Sequence, residues 1–125
     1  MPFFGYVEVS MTSFRLELEK LPISNENVAV FQAKGKLSLE TVNEFIQKLR
    51  QDTTANVVLD MSGVSFLDSA GVGSLVSLFI GRRGQGRTFA LAALTPQGNA
   101  VVTVAGLQNL LPIYKSVDEA TAKKA

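Results

Sequence analysis

Apolar and polar residues change period several times along this chain, and each change marks an element. Phe14-Arg15-Leu16-Glu17-Leu18-Glu19 alternates, the period-two pattern of a strand buried on one face. Leu21 to Glu26 turns. Asn27 to Phe31 is a second strand, hairpin-linked to the first, and Gly35-Lys36-Leu37 continues or follows it. The period then lengthens: Val42, Phe45, Ile46 and Leu49 fall on one stripe of a helix from Leu39 to Arg50. Ser38 can cap this helix, and Thr41 with Glu44 three residues on is a weaker cap signal. Asn56 to Asp60 is short and mostly apolar, a strand covered on both faces.

Met61 to Phe66, with Gly63 inside it, reads as a connecting loop. A helix follows from Ser69 to Ile80, apolar on most sides through Val72, Leu75, Val76, Leu78 and Phe79, which predicts a buried helix. Gly81 to Gly86 is a loop and Thr88 to Leu94 a buried strand. Pro96 opens a helix over Gln97 to Val104 that Gly106 ends. Leu111 to Tyr114 is a short last strand, and Ser116 caps a final helix from Val117 to Lys123. The order β-β-α-β-α-β-α-β-α predicts an α/β fold: one mixed, mostly parallel sheet with alternating helices and an antiparallel edge from the opening hairpin. Residues 1–12 form an apolar lead-in that an edge strand, a dimer contact or a disordered tail would each explain. Residues 13–125 read as one domain.

Composition narrows the function. The 125 residues are 46% hydrophobic and 18% charged, enough for a packed core. Twelve basic residues against eleven acidic ones leave a net charge of +1, which gives no reason to expect nucleic acid as a partner. There is no Cys and no His, so thiol nucleophiles, thiolate or imidazole metal sites and a Ser-His-Asp triad are all excluded. No apolar run approaches the ~18 residues of a membrane span, and Met1 to Tyr6 lacks the pattern of a secretory signal. The expectation is a cytoplasmic, non-enzymatic protein that needs no cofactor and does not insert into a membrane.

Three places carry candidate chemistry. The first is Asp68-Ser69-Ala70-Gly71, at the start of the mostly apolar helix. Asp68 is a good N-cap. Ser69 would sit at the first helical position, its hydroxyl open to another protein and near the positive end of the helix dipole. Capping alone also accounts for both residues. The second is Gly81-Arg82-Arg83-Gly84-Gln85-Gly86-Arg87-Thr88, nearly a phosphate-binding P-loop, but running from helix into strand where a P-loop runs from strand into helix. Cations at a helix C-terminus followed by a Gly turn explain it, and Arg82, Arg83 and Arg87 could form a partner-facing basic patch. The third is Asp60, at a strand end, which with Asp68 would make a carboxylate pair for Mg²⁺ or acid–base work. A hydrogen-bonded loop carboxylate is the plainer reading.

Asp68-Ser69-Ala70-Gly71, placed after the strand ending at Asp60 and the run Val64-Ser65-Phe66-Leu67, resembles the signature of the STAS family, which includes the anti-sigma-factor antagonists. Leu111-Pro112-Ile113-Tyr114 followed by an Asp-Glu-Ala helix adds to the resemblance, which spans about residues 13–120. It implies that Ser69 is phosphorylated by an anti-sigma factor, a serine kinase of the histidine-kinase-like ATPase group, and that a PP2C-type phosphatase resets it. The unphosphorylated form would bind the anti-sigma factor and free a sigma factor in a bacterial partner-switching circuit; Asp68, Ala70, Gly71, Ser38 and Asp60 would make the phosphosite neighbourhood. Homodimers are also open to such a domain. One feature departs from the family: where many antagonists carry Gly-Glu-Leu-Asp, this chain has Gly35-Lys36-Leu37-Ser38. That leaves room for an alternative, a STAS subunit of a stressosome-like or lipid-transporter complex.

Overall fold

In the computed structural model, which describes residues 8–12 and 15–122, the chain runs β1 (Glu8–Thr12), β2 (Leu16–Lys20), β3 (Val28–Leu37), α1 (Val42–Arg50), β4 (Asn56–Leu67), α2 (Ser69–Gly84), β5 (Thr88–Ala92), α3 (Pro96–Ala105), a 3₁₀ turn (Leu107–Asn109), β6 (Ile113–Tyr114) and α4 (Val117–Ala122). The six strands lie side by side in sequence order. β2 runs antiparallel to both of its neighbours, β1 and β3, and β3 to β6 are parallel.

Sequence-order parallel strands joined by right-handed crossovers put their helices on one face. Leu16, Leu18, Phe31, Leu59 and Leu91 from that face pack with Phe45 and Leu49 of α1, Leu75 and Leu78 of α2 and Val102 of α3 in one core. The opposite parity, Val28, Val30, Val58 and Ala92, makes a smaller core under Ala120 of α4. α4 is held at its start by Ser116, whose Oγ accepts from the Glu119 N–H at 3.0 Å, as the sequence predicts.

Four expectations change. The opening segment contributes a sixth strand: Glu8–Thr12 pairs antiparallel with β2, the edge-strand reading of the lead-in, while residues 1–7, Phe14 and Lys123 lie outside the described residues. Met61–Phe66 is no loop, because β4 continues to Leu67 against the whole length of β3. Met61, Val64 and Leu67 are buried there while Ser62, Ser65 and Phe66 face solvent. The small and polar residues that suggest a loop are the exposed side of a strand that bulges twice in register. The second bulge uses Gly35 at φ 111°, where a Cβ would lie 2.1 Å from the Arg15 carbonyl oxygen. Third, α1 begins at Val42; Thr41 stands at its cap position without a side-chain cap bond, so Ser38 caps nothing. Fourth, α2 runs on to Gly84, so Gly81–Gly84 is helical.

Arg82 closes the bottom of this layer. Its side chain is buried, and it donates from Nε to the Thr88 carbonyl (2.8 Å), from Nη1 to the Asp52 carbonyl (3.1 Å) and from Nη2 to the Thr54 carbonyl. It ties the α1–β4 loop to the start of β5. Nearby, burial works against ionisation of Asp52, but the Thr54 N–H at 2.8 Å and Lys20 Nζ at 2.9 Å outweigh it and hold the carboxyl below its ordinary range.

Two outcomes follow for stability. Arg82→Ala leaves three carbonyls without their charged donor and is expected to cost on the order of 3 kcal/mol in urea unfolding; a loss within error of zero contradicts the clamp. Because Asp52 has a lowered folded pKa, its contribution is present above the unfolded value of about 3.9 and lost as pH falls through the folded one. Asp52→Asn should therefore flatten the acid fall in stability below about pH 4, read from unfolding midpoints across a pH series.

Candidate functional site

The parallel pairing of β3 with β4 places Leu37 opposite Leu67, so the two strands end together and their following loops become neighbours. The Asp68 N–H reaches the Leu37 carbonyl at 3.4 Å. Gln97, in the first turn of α3, clamps the other side: its Oε1 accepts from Leu67 N and its Nε2 donates to Leu67 O, both at 3.0 Å. A side-chain amide thus takes the place of a strand partner just before the Asp-Ser pair.

Asp68 then caps α2. Its Oδ1 accepts from the Gly71 N–H at 2.8 Å, and its Oδ2 accepts from the Leu39 N–H in the β3–α1 loop at 3.2 Å. One carboxylate thereby fixes both the helix start and the neighbouring loop. Gly71 is required by the closeness of that loop: a Cβ there would lie 2.3 Å from the Leu37 carbonyl oxygen and 2.6 Å from Leu67 Cδ1. Ala70 packs half-buried against the main core.

Ser69 is the first residue of α2 and is exposed, and its hydroxyl makes no hydrogen bond among the described residues. Beside it, Lys36, Ser38, Leu39, Glu40, Ser65, Phe66 and Asp68 line an open hollow of about 520 Å³. Ser38 is buried at the floor of the loop, its N–H donating to Thr41 Oγ1 at 3.1 Å. The Thr41 hydroxyl faces the carbonyls of Lys36 (3.0 Å) and Ser38 (3.2 Å). Glu40 pairs with Arg15. Leu39 (74% exposed) and Phe66 (43%) stand out as apolar residues on this surface.

The other candidates do not join the site. Asp60 sits within β4, not at a strand end, and faces away from the three-helix layer. It accepts from Gln32 Nε2 (3.2 Å) and from the Ser62 N–H (2.9 Å), and roughly 20 Å of strand separates it from Asp68. The Asp60–Asp68 pair is therefore not formed. Among the described residues no group of three His, Cys, Asp or Glu could hold a metal. Gly81–Thr88 is a helix C-terminus and turn, with Gly86 at φ 74°. Arg82 is buried, so a surface patch there is reduced to Arg83 and Arg87.

Sequence reasoning missed two contributors, Gln97 and the Leu39 amide, and read Thr41 only as a helix cap, where its hydroxyl instead faces the carbonyls of Lys36 and Ser38. Gln97 had a signal, a long polar side chain in the first turn of a helix that carries no charge. Nothing in the chain near Leu39 announces a bond to a residue 29 positions away.

A sheet whose parallel strand ends present a capped, open serine is a fold with known relatives. The STAS domain family model matches residues 22–120, and the chain belongs to that family. Among solved structures it is similar to an anti-sigma factor antagonist from Mycobacterium paratuberculosis, at 24% identity and a TM-score of 0.72, covering 86% of this chain and 93% of that one. It is similar to the antagonist SpoIIAA in its unphosphorylated form, at 18% identity and 0.65, covering 81% and 90%. The murine Solute Carrier 26 family member A9 anion transporter, in its inward-facing state, matches at 20% identity and 0.72, with 94% of this chain covering 21% of that one. These likenesses carry the fold, which antagonists and a transporter share. No described helix is long and apolar enough to cross a membrane.

Asp68→Ala should remove the cap and the loop bond together. The expected loss is about 1–2 kcal/mol, and amide exchange should quicken at both Gly71 and Leu39. Quickening at Gly71 alone would show that the loop does not depend on Asp68.

Proposed function

We propose that this STAS chain is an anti-sigma-factor antagonist and that the Ser69 hydroxyl is its phospho-acceptor. The observation that supports this most is the contrast between two adjacent residues. Asp68 has both carboxylate oxygens engaged by backbone N–H groups, while Ser69 offers an exposed, unbonded hydroxyl at a rigid helix start.

The partner in this reading is a serine kinase of the histidine-kinase-like ATPase group. Ser69 Oγ attacks the γ-phosphorus of ATP, the bond to the ADP oxygen breaks, and the hydroxyl proton leaves to a base. Asp68 is held as the helix cap through both of its oxygens, and in this reading the base comes from the kinase, along with ATP and its metal. A PP2C-type phosphatase reverses the modification.

A phosphate at Ser69 adds about −1.5 to −2 charges beside Asp68. The helix N-terminus offsets the repulsion by about 0.3–1 kcal/mol. The two effects are of similar size, so the modification acts at the surface, by charge and bulk against a partner fitted to the bare hydroxyl. A loss of about 2.7 kcal/mol already weakens binding a hundredfold. This circuit belongs in a bacterial cytoplasm.

A second reading, a STAS subunit of a stressosome-like or lipid-transporter complex, draws on the β3–α1 loop. There, exposed Lys36 and buried Ser38 stand where many antagonists carry acidic residues.

The test is incubation with the cognate kinase and ATP, followed by mapping of the phosphate by mass spectrometry. One phosphate on Ser69, absent from Ser69→Ala, is the expected result. Phosphate elsewhere, or undiminished labelling of Ser69→Ala, overturns the assignment.

A further inference from the structure

At the far end of α2 from Ser69, roughly 20 Å along the helix, the last turns of α1 and α2 lie side by side. Residues 48–52 and 81–88 carry Lys48, Arg50, Arg82, Arg83 and Arg87 against Asp52, and the Asp52 carboxylate is taken by Lys20 and the Thr54 N–H. Between the two helices Arg50, Leu78, Gly81, Arg82 and Gln85 line a hollow of about 130 Å³. Its polar side chains present donors. Arg50 leans onto α2, its Nη2 donating to Ser77 Oγ at 3.1 Å. A guanidinium has five N–H groups; that of Arg82, a residue 5% exposed, gives one each to the carbonyls of Thr88, Asp52 and Thr54, which leaves two. Gln85 Oε1 accepts from Arg87 Nη1 at 3.1 Å, so its amide turns only donors to a further partner. The carbonyls of Arg82 and Arg83, which would repel an anion at a helix end, already accept from the N–H groups of Gln85, Gly86 and Arg87. Burial pushes the Arg82 guanidinium down from its ordinary range; Asp52 opposes this and Arg87 adds to it.

We propose that this hollow binds a phosphate group. Guanidiniums from two helices and one side-chain amide border a single small space, which suits a tetrahedral dianion with several acceptor oxygens. The volume holds one such group and falls well below the ~300 Å³ at which pockets for drug-sized ligands begin. The remainder of a phosphate ester would lie outside, past Gly81, where an added Cβ meets nothing. The likeness of Gly81–Thr88 to a phosphate loop is one of composition: here the donors are side chains at a helix C-terminus, not the backbone of a strand-to-helix turn. A bound phosphate would tie α1 to α2 and add counter-charge beside the Arg82 clamp. None of this depends on what happens at Ser69. Free phosphate and the terminal group of a monoester share the chemistry.

The test titrates the full chain with inorganic phosphate, and in a second arm with glycerol 3-phosphate, at constant ionic strength, and follows nitrogen–proton correlation spectra. Saturable shifts are expected at Leu78, Gly81, Gln85 and the Arg50 Nε–H, half complete on the order of 1 mM. Arg50→Gln should weaken binding about tenfold or more, and Gln85→Ala by less. Lys115→Gln, at a lysine exposed beyond β6, should bind as the wild type does. Arg82 is kept in every variant because its clamp supports the fold. Dispersed signals report that Arg50→Gln is folded; if it is not, Arg50→Lys, which keeps the charge and loses the fork, is read in its place. Saturation by inorganic phosphate alone identifies free phosphate as the ligand, and saturation by both identifies a monoester's terminal group; either supports the proposal. Shifts that stay linear to ~20 mM, that centre on Ser69–Gly71, or that are unweakened in both Arg50 variants overturn it. An equal response to acetate overturns the assignment to phosphate.

Discussion

The parallel ladder between β3 and β4 is the constraint on which the rest of this structure depends. It runs from Val28 opposite Asn56 to Leu37 opposite Leu67, through two irregularities in register. Its length decides where both strands stop. Because they stop together, the β3–α1 loop and the start of α2 lie within hydrogen-bond reach. A β4 ending at Asp60 would leave the Asp-Ser pair on a free loop. The helix layer supports the ladder from one side through Phe45, Leu75 and Val102, and α4 covers part of the other.

On that frame a single carboxylate performs two tasks. Asp68 satisfies an orphan N–H of α2, the ordinary job of an N-cap, and also restrains the Leu39 amide. Gln97 fixes the strand end from the α3 side. The backbone around Ser69 is thus held from three directions, while the Ser69 side chain is held by none. Rigid backbone with a free hydroxyl suits a residue to be recognised, modified and recognised again, since the ordering cost is already met by the fold.

Much of this was legible in the chain. Alternation at Phe14–Glu19, the helical stripe at Val42–Leu49 and the Ser116 cap each follow from local rules, and the order of elements follows from their sum. Asp68 as an N-cap was legible too, because capping is local. What was hidden depended on partners far away in sequence. Gly63 and its polar neighbours suggest a loop until β3 is known to pair beside them. Arg82 resembles a surface cation until the carbonyls of Asp52, Thr54 and Thr88 converge on it. The outer side of α2 was misjudged for a related reason: periodicity shows that a face is apolar, not whether this chain covers it.

The central claim is that a charge at Ser69 changes what the surface offers and leaves the fold as it is. The most direct test incorporates phosphoserine at position 69 during synthesis and compares nitrogen–proton correlation spectra of the two forms. The account predicts shifts confined to the loop around Lys36–Thr41, to Ser65–Gly73 and to Ala100, Val101, Val104 and Ala105 of α3 beside Ser69, with the resonances of β1, β2, β5 and α4 in place. Shifts spread through the smaller core under α4, or loss of dispersed signals, would contradict it.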